Sequence, residues 1–534
     1  MKPLSFFLAL CLAFAACKQS SSNGHKMAKI ARDTAISDTN SFSTLFFDST
    51  SLETWLAGRS MPDTAKALFR NFYNQRNYQY AWFDSTGIAE QAGHFWNLQQ
   101  NYLAYSGDSS IFNPYLQRWA DSVNSYGPKA IPDSARLLVE WGLTGQFFRY
   151  ANKAYMGDRR LNARDLEWFI PRKRVDLLSM LDTLVRVKGK DIDRYEPVNK
   201  QYGLLREQLK RYYEIERQGA WDPLVAKKKK LVTGDTGMVI LQVKKRLALT
   251  GDLPLADSSN LFTPELEAAV KHFQFRYGLK EDGVIGGATL REMSTPIRQR
   301  IHQILVNMER IRWVPAEPSG NFLLVNIPEF RLHVIENGKQ AFSMNVVVGT
   351  SQNNTVIFTG KLKYVVFSPY WNVPPGILKK EILPAIRRNP NYLERHDMEW
   401  FGNGQVRQRP GPKNSLGLVK FLFPNNYNIY LHDTPSKSLF NESKRAFSHG
   451  CIRVEEPLKL AEWILSGENS WTTDNIIAAM YAGKERFVNV KKDIPVFIGY
   501  FTAWVDQQGN LNFRDDLYGH DKKMAAKMFR SATP

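Results

Sequence analysis

Cysteine is nearly absent from this chain: three in 534 residues, at positions 11, 17 and 451. So few, so placed, exclude a disulfide-stapled scaffold and every zinc site built on paired Cys-x-x-Cys ligands. Long apolar runs are also scarce. One stretch, Leu4–Ala16, is continuous enough to notice, and it is too short to span a bilayer as a helix. Acidic residues are outnumbered 52 to 71 by Lys and Arg, a formal charge of +19. That balance favours an anionic surface as neighbour. Apart from Lys227–Lys230 the basic residues are scattered, and neither an aromatic RNA-binding signature nor zinc-finger spacing accompanies them, so nucleic acid is not expected as a partner. No paired histidine spacing suggests a metal site, His272 and His333 included, and no cofactor is expected. Aromatic residues, by contrast, make up 13% and apolar residues 43%, which supplies several cores and argues against disorder over most of the chain.

The single apolar run explains two of the cysteines. Lys2 precedes it and Cys17 ends it, a charged segment and an apolar segment of signal-peptide length. Ala15-Ala16-Cys17 resembles a bacterial lipoprotein cleavage site, with Phe14 where that pattern prefers Leu. The resemblance implies a lipid on Cys17, a membrane anchor through it, and a periplasmic protein tethered to the cell envelope, on the outer-membrane side. Residues 1–17 would be leader and lipidation site. Residues 18–45, rich in Ser, Asp, Thr and Asn, would be a flexible linker. Cys451 is then the one free thiol of an exported chain, either a reactive group or an inert buried one.

Periodicity divides the rest. From 46 to 226 the pattern is helical, with apolar positions at three- and four-residue spacing in Ser134–Ala154 and Arg174–Val187. The aromatic cluster Phe69, Phe72, Tyr73, Tyr78, Tyr80, Trp82 and Phe83 reads as helix-packing core. A compact three-helix unit occupies 227–296. Its signals are a turn at Gly234–Gly237, a helix from Met238, and Thr263-Pro264 as cap and first helical residue of the next. Ile297–Trp313 is a connecting helix within 297–320. From 321 to 485 the period changes to two: strands over Phe322–Ile327 and Phe330–Ile335, a hairpin at Asn337-Gly338, and further strands at Met344–Val348, Leu362–Phe367 and Tyr427–His432. The stretch 377–413, helical and then loop-like, interrupts the strands as an insertion or lid. Residues 486–534 are expected to pack back on this domain. The fold class is multidomain α+β.

Gly234-Asp235-x-Gly237, Ala269-Val270-x-x-Phe273-Gln274 and Asp282-Gly283-x-x-Gly286-x-x-Thr289 resemble the peptidoglycan-binding module of cell-wall hydrolases. The same turn chemistry also suits a plain helical spacer.

The chemistry concentrates near Cys451. Thiol nucleophiles work as thiolates, which a nearby imidazole can generate, and acyl transfer needs backbone donors for the oxyanion. His432, a fifteen-residue spacer, and Ser448-His449-Gly450-Cys451-Ile452-Arg453 supply these parts. This pattern, with Pro369–Pro375 and His432–Pro435, resembles the L,D-transpeptidase family (YkuD-type domain) in its large multidomain form. The resemblance implies a mostly-β catalytic domain behind a helical scaffold and the peptidoglycan-binding module. It also implies peptidoglycan stem peptides and glycan as substrates, with cell-wall synthesis proteins as possible partners. Cys451 would attack the third-residue carbonyl of a stem tetrapeptide, release D-alanine, and pass the thioester to an amine of a neighbouring stem. His432 would be the base, oriented in part by the Asp433 backbone carbonyl. His449 would support the thiolate, and Gly450 and Cys451 would offer backbone N–H groups. Ser448 and Arg453 would contact substrate, Arg453 through a carboxylate. Tyr370 and Trp371 would line the donor pocket or belong to the core. Water or a protein as acceptor would make the same machinery a carboxypeptidase or an attachment enzyme, and a non-enzymatic anchoring lipoprotein is the alternative of another class. A papain-like protease is excluded by the order of His432 and Cys451.

Overall fold

The computed structural model describes residues 31, 33, 35–36, 43–106, 109–158, 161–172, 175–190, 200–219, 221–314 and 320–529. Cys11, Cys17 and most of the predicted linker lie outside them. Among the described residues, no helix is long and apolar enough to cross a membrane.

The chain divides into two compact units. The first comprises 1–100, 109–150 and 176–192; the second holds 101–108, 151–175 and everything from 193 on. The first unit is helical, with Ser49–Ala57, Asp63–Gln75, Pro114–Tyr126 and Leu177–Arg186 among its helices. Asn113 and Asp176 cap the last two by accepting N–H bonds from the first turn. The aromatic cluster is core: Phe69, Phe72, Tyr73, Trp82 and Phe83 are all buried. At its centre the Glu140 carboxylate accepts from the Ala81 N–H (2.7 Å), the Trp82 N–H (3.0 Å) and the Tyr73 hydroxyl (2.9 Å).

In the second unit the three-helix module forms as its turns predict: Met238–Thr250, Pro264–Arg276 and Gly287–Ser294. Thr263 caps the middle helix, its hydroxyl accepting from the Leu266 N–H at 3.3 Å. The connecting helix covers Ile297–Trp313.

The catalytic-domain region is organised by one mixed sheet. Its strands run in the order Arg486–Asn489, Tyr364–Phe367, Val419–Leu422, Leu431–His432, Ile452–Val454, Lys339–Gly349, Arg331–Glu336, Phe322–Asn326, Pro495–Gly499 and Phe358–Lys361, with Ala446–Ser448 also paired to Lys339–Gly349. Asn337 and Gly338 both have positive φ (52° and 74°) and join Glu336 directly to Lys339. That is the geometry a two-residue hairpin requires. Leu323, Val325, Leu332, Val334, Leu431, Ile452 and Val454 are buried in one continuous core. Two strands come from beyond 485. Pro495–Gly499 pairs in parallel with Phe322–Asn326 and antiparallel with Phe358–Lys361. The segment expected merely to pack on the sheet therefore completes it.

The insertion is more regular than predicted. After the helical turns Leu378–Ile382 and Leu383–Arg388, residues Met398–Phe401 and Gln405–Gln408 form a hairpin, and Trp371–Asn372 pairs with it. Val373, Ile382, Met398 and Val406 give the insertion a core of its own, against which Trp371 packs.

Candidate active site

The site stands on one pair of parallel strands. Leu431 pairs with Ile452, and His432 with Arg453. Side chains alternate across a strand, so Leu431 and Ile452 point into the core on one face. Tyr430, His432, Cys451 and Arg453 consequently share the other. A spacing of nineteen residues in sequence becomes a diagonal across two neighbouring strands.

His432 is buried, and its Nδ1 lies 2.5 Å from the carbonyl oxygen of Asp433. With Nδ1 donating, the lone pair sits on Nε2. Burial, with the positive charge of Arg453, pushes its pKa down to about 3. The Asp433 carboxylate is occupied elsewhere. It accepts from the N–H groups of Thr434 (2.7 Å) and Leu418 (2.8 Å) and from Lys437 Nζ (2.6 Å). It does not serve as a third member of a triad; only its backbone carbonyl touches the imidazole.

Burial pushes the Cys451 thiol up; hydrogen bonds from Tyr430 and the charge of Arg453 pull the other way. Sγ also lies 3.5 Å from the Asn428 carbonyl. Burial thus opposes charge on both groups, on the thiolate of Cys451 and on the imidazolium of His432. Tyr430 itself is raised well above an ordinary phenol, by burial and then by the sulfur beside it. Spacing singled out His432 and passed over Tyr430, although the alternation of strand side chains, two positions before His432, marks it.

Asn425 shapes the loop that delivers these groups. Its side-chain oxygen accepts from the N–H groups of Tyr427 (2.9 Å) and Ile429 (3.3 Å), and its amide donates to the Phe423 and Ile429 carbonyls. Between them Asn428 sits in the left-handed region at φ 55°, which asparagine tolerates.

Of the other predicted residues, Ser448 is structural glue for the nucleophile turn. Its hydroxyl donates to the Cys451 carbonyl (2.5 Å) and accepts the Gly450 N–H (3.1 Å). The Gly450 N–H is therefore already engaged. Gly450 contributes its backbone shape at φ 116°, while its carbonyl accepts from the Thr355 hydroxyl at 2.9 Å. His449 Nε2 lies 3.1 Å from Glu381 Oε1 of the insertion. Arg453 is partly buried, and its Nε has no hydrogen-bond partner among the described residues. The Tyr370 ring lies under the Arg407 guanidinium at 4.1 Å, and its N–H donates to Glu485 at 3.1 Å. Among the described residues, no group of three or more His, Cys, Asp or Glu could hold a metal ion.

Comparison with known proteins finds three matching regions. Residues 320–477 match the family model of the L,D-transpeptidase catalytic domain, 67–209 a scaffold domain, and 237–293 a "Putative peptidoglycan binding domain". A Haemophilus influenzae protein named "Putative L,D-transpeptidase" is 34% identical over 242 residues, 42% of this chain and 48% of that protein. The match thus spans about half the length of that relative. Among solved structures, an L,D-transpeptidase from Xylanimonas cellulosilytica aligns at 16% identity and TM-score 0.19, over 52% of this chain and 100% of its own. One from Stackebrandtia nassauensis aligns at 17% and TM-score 0.21, over 52% and 98%. Residues 320–477 are thus similar to the L,D-transpeptidase catalytic domain, behind regions similar to a scaffold domain and a peptidoglycan-binding domain.

Proposed function

We propose that this chain is an L,D-transpeptidase that forms 3-3 cross-links in peptidoglycan through a thioester on Cys451. One observation carries the reading: Tyr430, His432, Cys451 and Arg453 share a single strand face, with the sulfur hydrogen-bonded and His432 Nδ1 held on the Asp433 carbonyl.

In the first half-reaction Sγ attacks the third-residue carbonyl of a stem tetrapeptide. The thiol proton passes to His432 Nε2 and from there to the departing D-alanine amine. A C–S bond forms and the C–N bond breaks. The Cys451 N–H stabilises the oxyanion. The Arg453 guanidinium takes a substrate carboxylate. In the second half-reaction an amine of a neighbouring stem attacks the thioester. Its proton returns through His432 to sulfur, and the C–S bond breaks.

The peptidoglycan-binding domain would hold the polymer near this site, and a lipid on Cys17 would keep the protein periplasmic, anchored at the outer membrane. Mass spectrometry of disaccharide-tetrapeptide incubated with the protein, beside a Cys451→Ala control, tests the reading. Dimers lacking one D-alanine, absent from the control, support it. Tripeptide alone moves the assignment to an L,D-carboxypeptidase, and unchanged substrate favours a non-enzymatic anchor.

A further inference from the structure

We infer that Glu381 of the insertion is the subsite for the acceptor's ammonium group, and so decides whether the thioester is passed to an amine or lost to water. The inference rests on the cross-linking reading above.

An acceptor stem brings an amine that is protonated in water, so the site needs an anionic group close to the nucleophile. Among the described residues, three carboxylates touch residues of the site's strands or turn: Asp433 follows His432, Glu485 holds Lys420 opposite His432, and Glu381 pairs with His449. Asp433 is saturated by two backbone N–H groups and Lys437. Glu485 is held by Lys420 Nζ at 3.2 Å and by the Tyr370 N–H. Glu381 pairs with His449, at 3.1 Å, and both side chains are about half exposed (53% and 52%). His449 lies two residues before Cys451, so this carboxylate touches the turn that carries Cys451. An imidazole gives up a carboxylate more readily than a lysine or a backbone amide does, because it need not carry a charge.

The position is built rather than incidental. Glu381 lies on the widened helical turn Leu378–Ile382, and the next residue, Ile382, is anchored in the insertion's core. Such turns interrupt the regular helix repeat and re-aim a side chain, frequently at functional sites. The other face of the site is cationic: Arg453 suits the donor's carboxylate and would repel an ammonium.

In the resulting step the ammonium replaces His449 as the partner of Glu381. It yields one proton through Glu381 to water. The free amine attacks the thioester carbon, a C–N bond forms, and the C–S bond breaks. The amine's second proton passes through His432 Nε2 to the leaving sulfur, which restores the thiol.

The test uses the full-length chain, disaccharide-tetrapeptide as donor and acceptor, and three readouts: D-alanine released, dimer, and tripeptide. In Glu381→Gln, D-alanine release should stay within about twofold while the dimer-to-tripeptide ratio falls about fivefold, the scale of one half-exposed ion pair. Glu381→Asp should recover much of the ratio. Glu394→Gln, a charge loss elsewhere on the insertion, should leave it unchanged. A ratio unaltered in Glu381→Gln, or dimer and D-alanine falling together, overturns the inference and leaves the cysteine chemistry standing. Wild-type protein that yields only tripeptide also overturns it. Wild-type protein that releases no D-alanine overturns the underlying reading instead.

Discussion

Arg453 stands directly opposite His432 in the parallel pairing of their strands, and its charge adds to burial in holding the imidazole neutral down to about pH 3. One guanidinium therefore acts on both chemical partners, since it also opposes the upward push that burial exerts on the Cys451 thiol. Its own pKa is lowered by burial and raised by the sulfur.

Replacing Arg453 should separate its two effects. In Arg453→Gln the His432 pKa rises, which NMR titration of the imidazole would register. KM for the tetrapeptide donor should increase about tenfold, the scale of a lost charge-assisted hydrogen bond. A donor KM unchanged beside a shifted imidazole would restrict Arg453 to electrostatics.

Tyr430 should control the thiol. Tyr430→Phe removes a donor to Sγ, so the Cys451 pKa climbs further. Iodoacetamide alkylation should show its midpoint above the ordinary thiol value of about 8.5 in wild type and higher again in the variant. A wild-type midpoint near or below neutrality would mean that the pair rests as thiolate and imidazolium.

Gly417 supports the base from behind. It sits at φ 63°, and a Cβ there would meet the Asp433 carboxylate at 2.3 Å. Gly417→Ala should displace the residue whose carbonyl orients His432. The strained backbone alone costs about 1–3 kcal/mol. Turnover should fall with a modest loss of melting temperature, while a variant with unaltered turnover would show that the Asp433 carbonyl does not set the imidazole.

The scaffold unit has its own pH dependence. Burial pushes Glu140 up to about 7, against an unfolded value near 4.5. The folded state thus holds the proton more tightly. Its contribution is complete below the unfolded value and is lost as pH rises through about 7. Wild type should lose stability on the order of 1–3 kcal/mol across that interval, read as a falling melting temperature, and Glu140→Gln should be flatter. Equal pH slopes would contradict this.

Much of this architecture was legible in the sequence, for local reasons. Asn337-Gly338, Thr263-Pro264 and the alternation of Phe322–Ile327 encode turn, cap and sheet face without help from distant residues. The spacing of His432 to Cys451 was equally readable. What stayed hidden depends on partners far along the chain. Pro495–Gly499 looks like any apolar strand, and its place between Phe322–Asn326 and Phe358–Lys361 follows from pairing across well over a hundred residues. The hairpin in the insertion reads as loop because its strands are only four residues long and the second is mostly polar. The turn of His449 toward Glu381 and the capture of the Gly450 N–H by Ser448 are side-chain choices that a motif does not express.

The most direct test of the central claim is the intact mass of the protein caught during turnover with disaccharide-tetrapeptide. The account predicts an adduct equal to the donor less D-alanine, located on Cys451, released by hydroxylamine and absent from Cys451→Ala. D-alanine release without a covalent adduct, or an adduct that survives in Cys451→Ala, would contradict it.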